Sequence, residues 1–201
     1  MTDLDARIAK LRAELAALPL GEDDGQRPLG APTGEAAVLA VELAHGIRLP
    51  EDYRRFLIEV GDGGPGPSYG LYSLAEAIAE RGDGVWSLAD PFEPPASCRD
   101  WVDLRAPGIL PVQYEGCSYY AGLVITGPDR GTMWSYVEVE PGWVPFVADL
   151  IDEHGAPYQL RGSEMADYRA WYDVMLAPQN RGRRRSFLDW YEDWLAGVRA
   201  S

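Results

Sequence analysis

The glycines of the segment GDGGPG, at positions 61–66, are the residues that most resemble a chemical site. Their spacing matches G-x-G-x-x-G, which in dinucleotide-binding folds leaves a strand, opens a helix and points backbone N–H groups at a pyrophosphate. Here the glycines follow a helical pattern, and Pro65 and Pro67 lack the N–H group that such a site needs. The segment is therefore predicted to be a structural loop with glycines in left-handed conformations.

The histidines and cysteines form no pattern that indicates catalysis or metal binding. His45 and His154 each lie near a predicted helix end, where a cation interacts favourably with the helix dipole. Cys98 and Cys117 lack a C-x-x-C arrangement, and we expect both thiols to be reduced and packed. Neither a catalytic triad nor a zinc site has its required neighbours. No catalytic residue, cofactor or metal is predicted, and the protein is not expected to be an enzyme.

Two pairs of carboxylates remain as candidates for a weaker role. Glu138 and Glu140 would share one face of a strand, two residues apart, and could hold a cation weakly. Asp189 and Asp193 lie one helical turn apart and are expected to form a solvated face. A strongly acidic protein contains such pairs by chance, so neither is predicted to be a metal site.

The net charge of −14 restricts the classes of partner. Nucleic acids bind through Lys and Arg, and anionic membranes attract basic segments, so neither partner is expected. The charge either keeps the protein soluble or steers a basic protein partner toward it. No stretch approaches the ~20 apolar residues of a membrane span. The first twenty residues are rich in charge, so we expect a cytoplasmic protein.

Seven Trp and eleven Tyr residues exceed what one core usually needs. Most should be buried, but Trp and Tyr are enriched at interface hot spots. Those near the glycine loop and the predicted sheet could surround a groove that suits a protein partner better than a small molecule. The candidate partner-binding residues are Asp62, Tyr69, Tyr72, Tyr114, Glu115, Tyr119 and Trp134.

A short helix directly precedes the glycine loop in the sequence. Tyr53, Phe56, Leu57 and Val60 recur at i, i+3, i+4 and i+7 and predict one apolar stripe against a core. Pro50 suits the first helical position, because its missing N–H would have no partner there. This segment is predicted to be scaffold, followed by a strand over residues 69–74.

Other patterns place the remaining elements. Thr2 or Asp3 would cap an amphipathic first helix, which packs on the core or docks a partner. Thr33 would cap a second helix that Gly46 ends. Besides helix 50–60 and strand 69–74, the predicted segments are helix 5–18, a polar linker 21–34, helix 35–45, helix 75–80, an irregular stretch 81–106 held by Trp86, Phe92 and Trp101, a sheet over 109–146, and helices 147–153, 163–176 and 186–199.

Four segments resemble the SUKH superfamily, the Smi/Knr-type proteins named after yeast regulators of cell-wall assembly. They are residues 49–72, 108–120, 123–134 and 187–195, with matching positions at Gly116, Cys117, Gly127, Gly131 and Trp134. The resemblance covers roughly residues 33–198. It implies an α+β fold with a central antiparallel sheet flanked by helices, which agrees with the order of the predicted elements. The expected organisation is an added N-terminal helix over 1–20, a linker over 21–34 and a SUKH-like domain over 35–201.

The resemblance also implies a function, because bacterial members are typically immunity proteins that block a toxin, often a nuclease. We expect a non-enzymatic protein that occludes a basic toxin domain. The alternatives are a regulatory scaffold in cell-wall or stress signalling, and a small-ligand binder. The basic cluster RGRRR at 181–185 is expected to be a solvated loop or a counter-charge to Asp189, Glu192 and Asp193. It could also dock a second copy and give a homodimer.

Overall fold

The computed structural model describes residues 2–18, 26–82, 86–139, 141–160 and 162–200. Within these ranges, helices precede and follow an antiparallel sheet, which is the α+β class that the sequence predicts. The elements are α1 (Asp3–Ala16), α2 (Glu35–His45), α3 (Glu51–Glu59), α4 (Leu74–Arg81), β1 (Ile109–Gly116), β2 (Tyr119–Val124), β3 (Met133–Tyr136), β4 (Trp143–Pro145), α5 (Met165–Leu176), a 3-10 helix (Pro178–Arg183) and α6 (Phe187–Ala200).

The sheet is a meander in which each strand pairs with the next in sequence, in the order β1-β2-β3-β4. A tight turn at Cys117 and Ser118, both with positive φ, joins β1 to β2 and pairs Tyr114 with Tyr120 across the strands. A turn that contains Gly127 joins β2 to β3, and Gly127 adopts φ +122° there. A Cβ atom at Gly127 would lie 2.7 Å from the Phe92 carbonyl oxygen, so this turn needs glycine.

The main core lies between one face of the sheet and the helices α1, α3, α4 and α6. The predicted stripe of α3 is buried, and α1 contributes Ile8, Leu11 and Leu15 to the same core. Complete burial of each leucine stabilises the fold by about 1.5–3 kcal/mol before entropy is counted. Thr2 caps α1 in a capping box, as predicted. The first helix therefore packs on the core. The proposed boundaries of the N-terminal helix, the linker and the SUKH-like domain stay a prediction.

Ion pairs hold the first helix against the last one. The Arg7 guanidinium lies 2.7 Å from Asp189 and 2.8 Å from Glu192, and Arg199 pairs with Glu14. Ion pairs thus join α1, at one end of the described chain, to α6 at the other end. Asp189 was expected to be a solvated carboxylate, but it is half-buried in this contact.

Helix α2 has the predicted bounds and ends at Gly46 in a left-handed conformation. Its N-cap is Gly34, which has no side-chain cap, so the prediction that Thr33 caps this helix is wrong. Thr33 instead donates its backbone N–H to the Leu57 carbonyl at 2.8 Å. This bond ties the entry of α2 to α3.

Two predicted elements are absent. Residues 69–74 form no strand, because Ser68 and Gly70 have positive φ and only Leu71 makes isolated bridges. Residues 147–153 form no helix, because Asp149 has φ 45° and the Asn180 amide holds the backbone of Ile151. In both places local turn geometry and tertiary hydrogen bonds override side-chain periodicity.

The irregular stretch that precedes β1 is fixed chiefly by Phe92, with a further contact from Trp101. Phe92 is fully buried against Trp134 and Trp143 in a second core beneath the sheet. Trp101 is half exposed but packs edge-on against Tyr136 of β3, with ring centroids 6.0 Å apart, so it also holds this stretch. Trp86 is 55% exposed. Glu140, half of the proposed cation pair, lies outside the described residues, as do residues 19–20 of the proposed N-terminal region and residues 21–25 of the proposed linker.

The basic cluster at 181–185 is mostly engaged inside the molecule. Arg184 is buried, and its Nη1 atom lies 2.6 Å from the Asp129 Oδ2 atom, while Arg181 Nε lies 2.9 Å from Oδ1. Arg185 pairs with Asp193 at 2.8 Å, which is one of the counter-charges predicted. Arg181, Gly182 and Arg183 remain exposed, so the prediction of a solvated loop holds for them. Arg184, in contrast, finds its counter-charge in Asp129 of the turn before β3.

Candidate functional site

The glycine loop at 61–66 is structural, as predicted. Gly63 and Gly64 have positive φ, and a Cβ atom at Gly63 would lie 2.7 Å from the Ser73 backbone nitrogen. Its N–H groups are used within the chain: that of Gly64 donates to the Leu71 carbonyl, and that of Gly66 donates to the Gln26 side chain. These donors are not directed at an anion, and the loop follows α3 without opening a helix itself.

Buried side chains hold this loop from several directions. The hydroxyl of Tyr191 in α6 donates to the Pro65 carbonyl at 2.6 Å, and the Gln113 amide of β1 donates to the Pro67 carbonyl. The Asp62 carboxylate accepts the Leu74 N–H at 2.6 Å at the start of α4. Because these bonds are mostly shielded from water, they fix the backbone that carries Tyr69.

Three tyrosine rings contact one another where the loop touches the end of the β1–β2 hairpin, and a fourth tyrosine, Tyr72, interacts electrostatically with Tyr120. We call Tyr69, Tyr72, Tyr114 and Tyr120 the tyrosine cluster. Tyr69 stacks on Tyr114 with ring centroids 5.9 Å apart and planes 17° apart, and Tyr114 lies 5.1 Å from Tyr120. Tyr69 is 58% exposed and passes close to Gly116, which lacks the side chain that would crowd it. The cluster thus presents a supported aromatic surface to solvent.

Charged groups surround the cluster. Arg27 lies 5.3 Å from the Tyr72 ring centroid and pairs with Glu76 at 2.7 Å. The Tyr120 hydroxyl donates to Glu80 at 2.9 Å. Burial, followed by the nearby Glu80 carboxylate, raises the pKa of Tyr72 to about 12, and burial with the Glu80 hydrogen bond does the same for Tyr120. Both phenols therefore remain protonated donors at neutral pH.

The structure brings together only part of the predicted partner-binding set. Tyr69 and Tyr114 stack in the tyrosine cluster, and Tyr72 belongs to it through its interaction with Tyr120. Glu115 is the next residue of β1, where burial raises the pKa of its carboxyl. Tyr119 lies at the end of the same hairpin, 39% exposed, and contributes to the raised pKa of Tyr172 in α5. These residues could share one interface.

Two predicted residues have structural roles. Asp62 is partly exposed, but its carboxylate is occupied with the N-terminus of α4. Trp134 is fully buried, with its indole N–H donated to the Thr132 hydroxyl and its ring under Arg184 at 4.9 Å. Its assignment to the partner surface is corrected, because a side chain without exposed area cannot contact a partner in this structure.

Sequence reasoning missed two members of the site. Tyr120 pairs with Tyr114 across the hairpin, and the turn signal between β1 and β2 could have suggested that pairing. Arg27 approaches Tyr72 from a segment assigned to the linker, and no periodicity in the sequence indicates that contact. The aromatic surface is therefore larger than the predicted one on the hairpin side.

The groups that could carry catalysis are placed unfavourably for it. The Cys98 thiol donates to Asp173 at 3.3 Å, and burial, with this carboxylate, raises the pKa of the thiol, opposite to what a nucleophile needs. Cys117 is exposed, which corrects the expectation that both thiols are packed. His154 is exposed beside Glu153. Over the ranges that the structure describes, His, Cys, Asp and Glu form no group of three that could hold a metal.

A cleft of about 610 Å³ lies between the irregular stretch and the 3-10 helix. Prolines line much of it, together with Asp129, Asp173, Arg181 and Arg184. Asp129 is paired with both arginines, and Asp173 is bonded to Cys98. These four charged side chains are thus already engaged in ion pairs or hydrogen bonds within the chain.

An antiparallel meander covered by helices on its main face, with a fixed glycine loop at one end, defines the class of domain. The SMI1/KNR4 family (SUKH-1) model matches residues 32–157, more than half of the chain. The chain belongs to this family. The match includes α2, α3, α4, the sheet and the tyrosine cluster apart from its Arg27 neighbour, whereas α1, α5 and α6 lie outside it.

None of the curated proteins matches the chain. Among the helices that the structure describes, none is both long and apolar enough to cross a membrane.

Proposed function

We propose that the protein is a non-enzymatic immunity protein that binds a cognate toxin domain and occludes its basic surface. Membership of the SMI1/KNR4 family (SUKH-1) supports a binding domain, and bacterial members of the superfamily that the sequence resembles typically have this role. The net charge of −14 suits a basic partner, such as a domain that itself binds nucleic acid.

The exposed stack of Tyr69 on Tyr114 is the observation that carries the proposal. A tyrosine with 58% exposure loses apolar contact with water when a partner covers it, and its hydroxyl can donate or accept a hydrogen bond. The ring needs little further ordering, because the loop beneath it is hydrogen-bonded and the second ring supports it. A pre-organised aromatic group of this kind is typical of interface hot spots.

Long-range charge and the tyrosine cluster would act at different stages of binding. The acidic surface accelerates encounter with a basic partner, an effect that salt screens over about 10 Å at 0.1 M. The aromatic contact then governs dissociation. Inhibition of a toxin requires a long-lived complex, so we expect a dissociation constant of about 1 nM or lower.

The first test is capture of partners from the native cell at low salt, with the tagged protein as bait and mass spectrometry as readout. Retention of a basic protein with a toxin domain, in a one-to-one complex, would support the proposal. Retention of cell-wall or signalling proteins alone would favour the regulatory-scaffold alternative instead.

The second test uses the purified partner. Tyr69→Ala should weaken binding by about 30-fold or more, mostly through faster dissociation, since a central aromatic hot spot contributes at least ~2 kcal/mol. Tyr69→Phe retains the stacked ring and should lose much less. Trp101→Ala is the matched control, because Trp101 is an exposed aromatic residue that contacts Tyr136 outside the cluster. Equal losses for Tyr69→Ala and Trp101→Ala would contradict the assigned surface.

A further inference from the structure

One ring of the tyrosine cluster already carries an arginine of the chain itself. The Arg27 guanidinium lies 5.3 Å from the Tyr72 ring centroid, and its Nη1 and Nη2 atoms donate to the two Glu76 carboxylate oxygens at 2.7 and 2.9 Å. A planar guanidinium can lie against an aromatic face while it binds a carboxylate through two parallel hydrogen bonds. These three residues therefore show which side chain binds where an aromatic ring lies beside a carboxylate.

The exposed end of the cluster offers a second ring of this kind. Among the described residues, the rings that carry a guanidinium are those of Tyr72 and Trp134. The Tyr69 ring is 58% exposed and is supported by the stacked ring of Tyr114. Tyr69 is therefore accessible to a cation from outside the chain.

Glu115 supplies a carboxylate next to this ring. It lies between Tyr114 and Gly116, the two residues of β1 that adjoin the Tyr69 ring. Burial raises the pKa of the Glu115 carboxyl, and no ion pair or hydrogen bond within the described part of the chain offsets that effect. A cation from a partner would offset it, because a nearby positive charge favours the ionised carboxylate.

The other described charged side chains that act on the tyrosine cluster balance in sign. They are the cations Arg27 and Arg105 and the carboxylates Glu76 and Glu80. Glu115 therefore gives this region an excess of negative charge. A positively charged group of a partner is attracted to the region, whereas a carboxylate or phosphate is repelled.

We propose that the tyrosine cluster receives an arginine side chain of the partner, with the guanidinium against the Tyr69 ring and the Glu115 carboxylate as its counter-charge. This assignment rests on the proposed function, because it names the group through which a basic toxin enters the site. Arginine suits the site better than lysine, since its guanidinium is planar, more weakly hydrated and matched to a carboxylate. The bound arginine repeats on Tyr69 the arrangement that Arg27 has on Tyr72.

A nuclear magnetic resonance titration with N-acetyl-arginine methylamide tests the site without the toxin. The probe should shift the signals of Tyr69, Tyr114 and Glu115, with a dissociation constant of roughly 1–30 mM. N-acetyl-citrulline methylamide has nearly the same shape without the charge, and it should bind about fivefold more weakly or less well still. Equal binding of the two probes, or shifts confined to other parts of the chain, would overturn the proposal.

Two substitutions separate the contribution of the ring from that of the carboxylate. Tyr69→Leu keeps an apolar side chain but removes the aromatic face, and Glu115→Gln removes the charge. Each should weaken binding of the arginine probe about threefold or more. Glu153→Gln is the control, since it removes the same charge at an exposed position outside the cluster. Unchanged binding in both Tyr69→Leu and Glu115→Gln would show that the site is assigned wrongly.

The arginine site and the immunity role can fail separately. Capture of a toxin that Tyr69→Ala weakens but Glu115→Gln does not would keep the immunity role and overturn the arginine site. Selective binding of the arginine probe by a protein that captures no toxin would keep the site and overturn the immunity role.

Discussion

Removal of the Asp129 carboxylate should be among the most damaging single changes to the fold. The Asp129 and Arg184 side chains are only 3% and 4% exposed, and their charged atoms approach to 2.6 Å. The angle of this contact leaves Arg184 Nη1 outside a hydrogen bond, and the buried Arg184 Nε has no hydrogen-bond partner among the described residues. Arg184 therefore depends on Asp129 for charge compensation, with further support from the face of Trp134.

The expected cost of Asp129→Ala is about 3–5 kcal/mol of unfolding free energy, because the substitution leaves an uncompensated buried cation. A Coulomb estimate agrees, since two unit charges 4 Å apart attract by about 4 kcal/mol at an effective dielectric constant of 20. Burial lowers the pKa of Arg184, but its guanidinium remains charged at neutral pH and cannot escape the penalty by losing its proton. For a chain of this size, the melting temperature should fall by roughly 6–20 °C.

Urea unfolding followed by circular dichroism and tryptophan fluorescence measures this cost. Glu51→Ala is the control, because it removes an exposed carboxylate 3.8 Å from Arg48 and should cost less than about 0.5 kcal/mol. The double variant Asp129→Leu with Arg184→Met should recover much of the loss, since it removes both buried charges together. A cost below about 1 kcal/mol for Asp129→Ala would refute the reasoning. So would a double variant no more stable than Asp129→Ala alone.

Two substitutions and one labelling experiment test other features of the structure. Tyr191→Phe should cost about 1–3 kcal/mol in urea unfolding, because it leaves a buried carbonyl of the glycine loop unpaired, and an unchanged midpoint would contradict that role. The Arg27 hydrogen bond, with that of Ser73, lowers the pKa of Glu76 from 4.5 to about 2. Glu76 thus stabilises the fold above pH 4.5 and loses this contribution as the pH falls toward 2. Glu76→Gln should therefore reduce the change of melting temperature with pH over that interval. Maleimide should label Cys117 in the native protein and Cys98 only after unfolding, as mass spectrometry would detect.

Helix positions were predictable where a single apolar stripe decided them. The stripe of α3 is confirmed, because burial on one side of a helix imposes a period of about 3.6 residues. The end of α2 was predictable for another reason, because Gly46 adopts the left-handed conformation that stops a helix. Residues 147–153 show the limit of that signal. Their helical pattern is overridden by hydrogen bonds from Asn180, which lies far along the chain and leaves no local trace.

The candidate site was only partly predictable. Composition indicated surplus aromatic residues, and the glycine loop indicated where some of them gather. Tyr69 is exposed, whereas Trp134 is buried. Trp134 is buried because its side chain lies on the face of the sheet that the second core covers. Residue type and spacing alone cannot supply this information. The contact of Arg27 with Tyr72 likewise depends on tertiary packing.

The pairing of the first helix with the last one determines when the protein can fold during synthesis. Ile8, Leu11 and Leu15 of α1 share a core with Leu188 and Tyr191 of α6, and ion pairs link the same two helices. A ribosome-bound chain that lacks α6 would leave an apolar groove open to water and vulnerable to aggregation. Contacts so distant in sequence also slow folding, because a long loop must close before they form. The finished fold therefore waits until α6 has been translated.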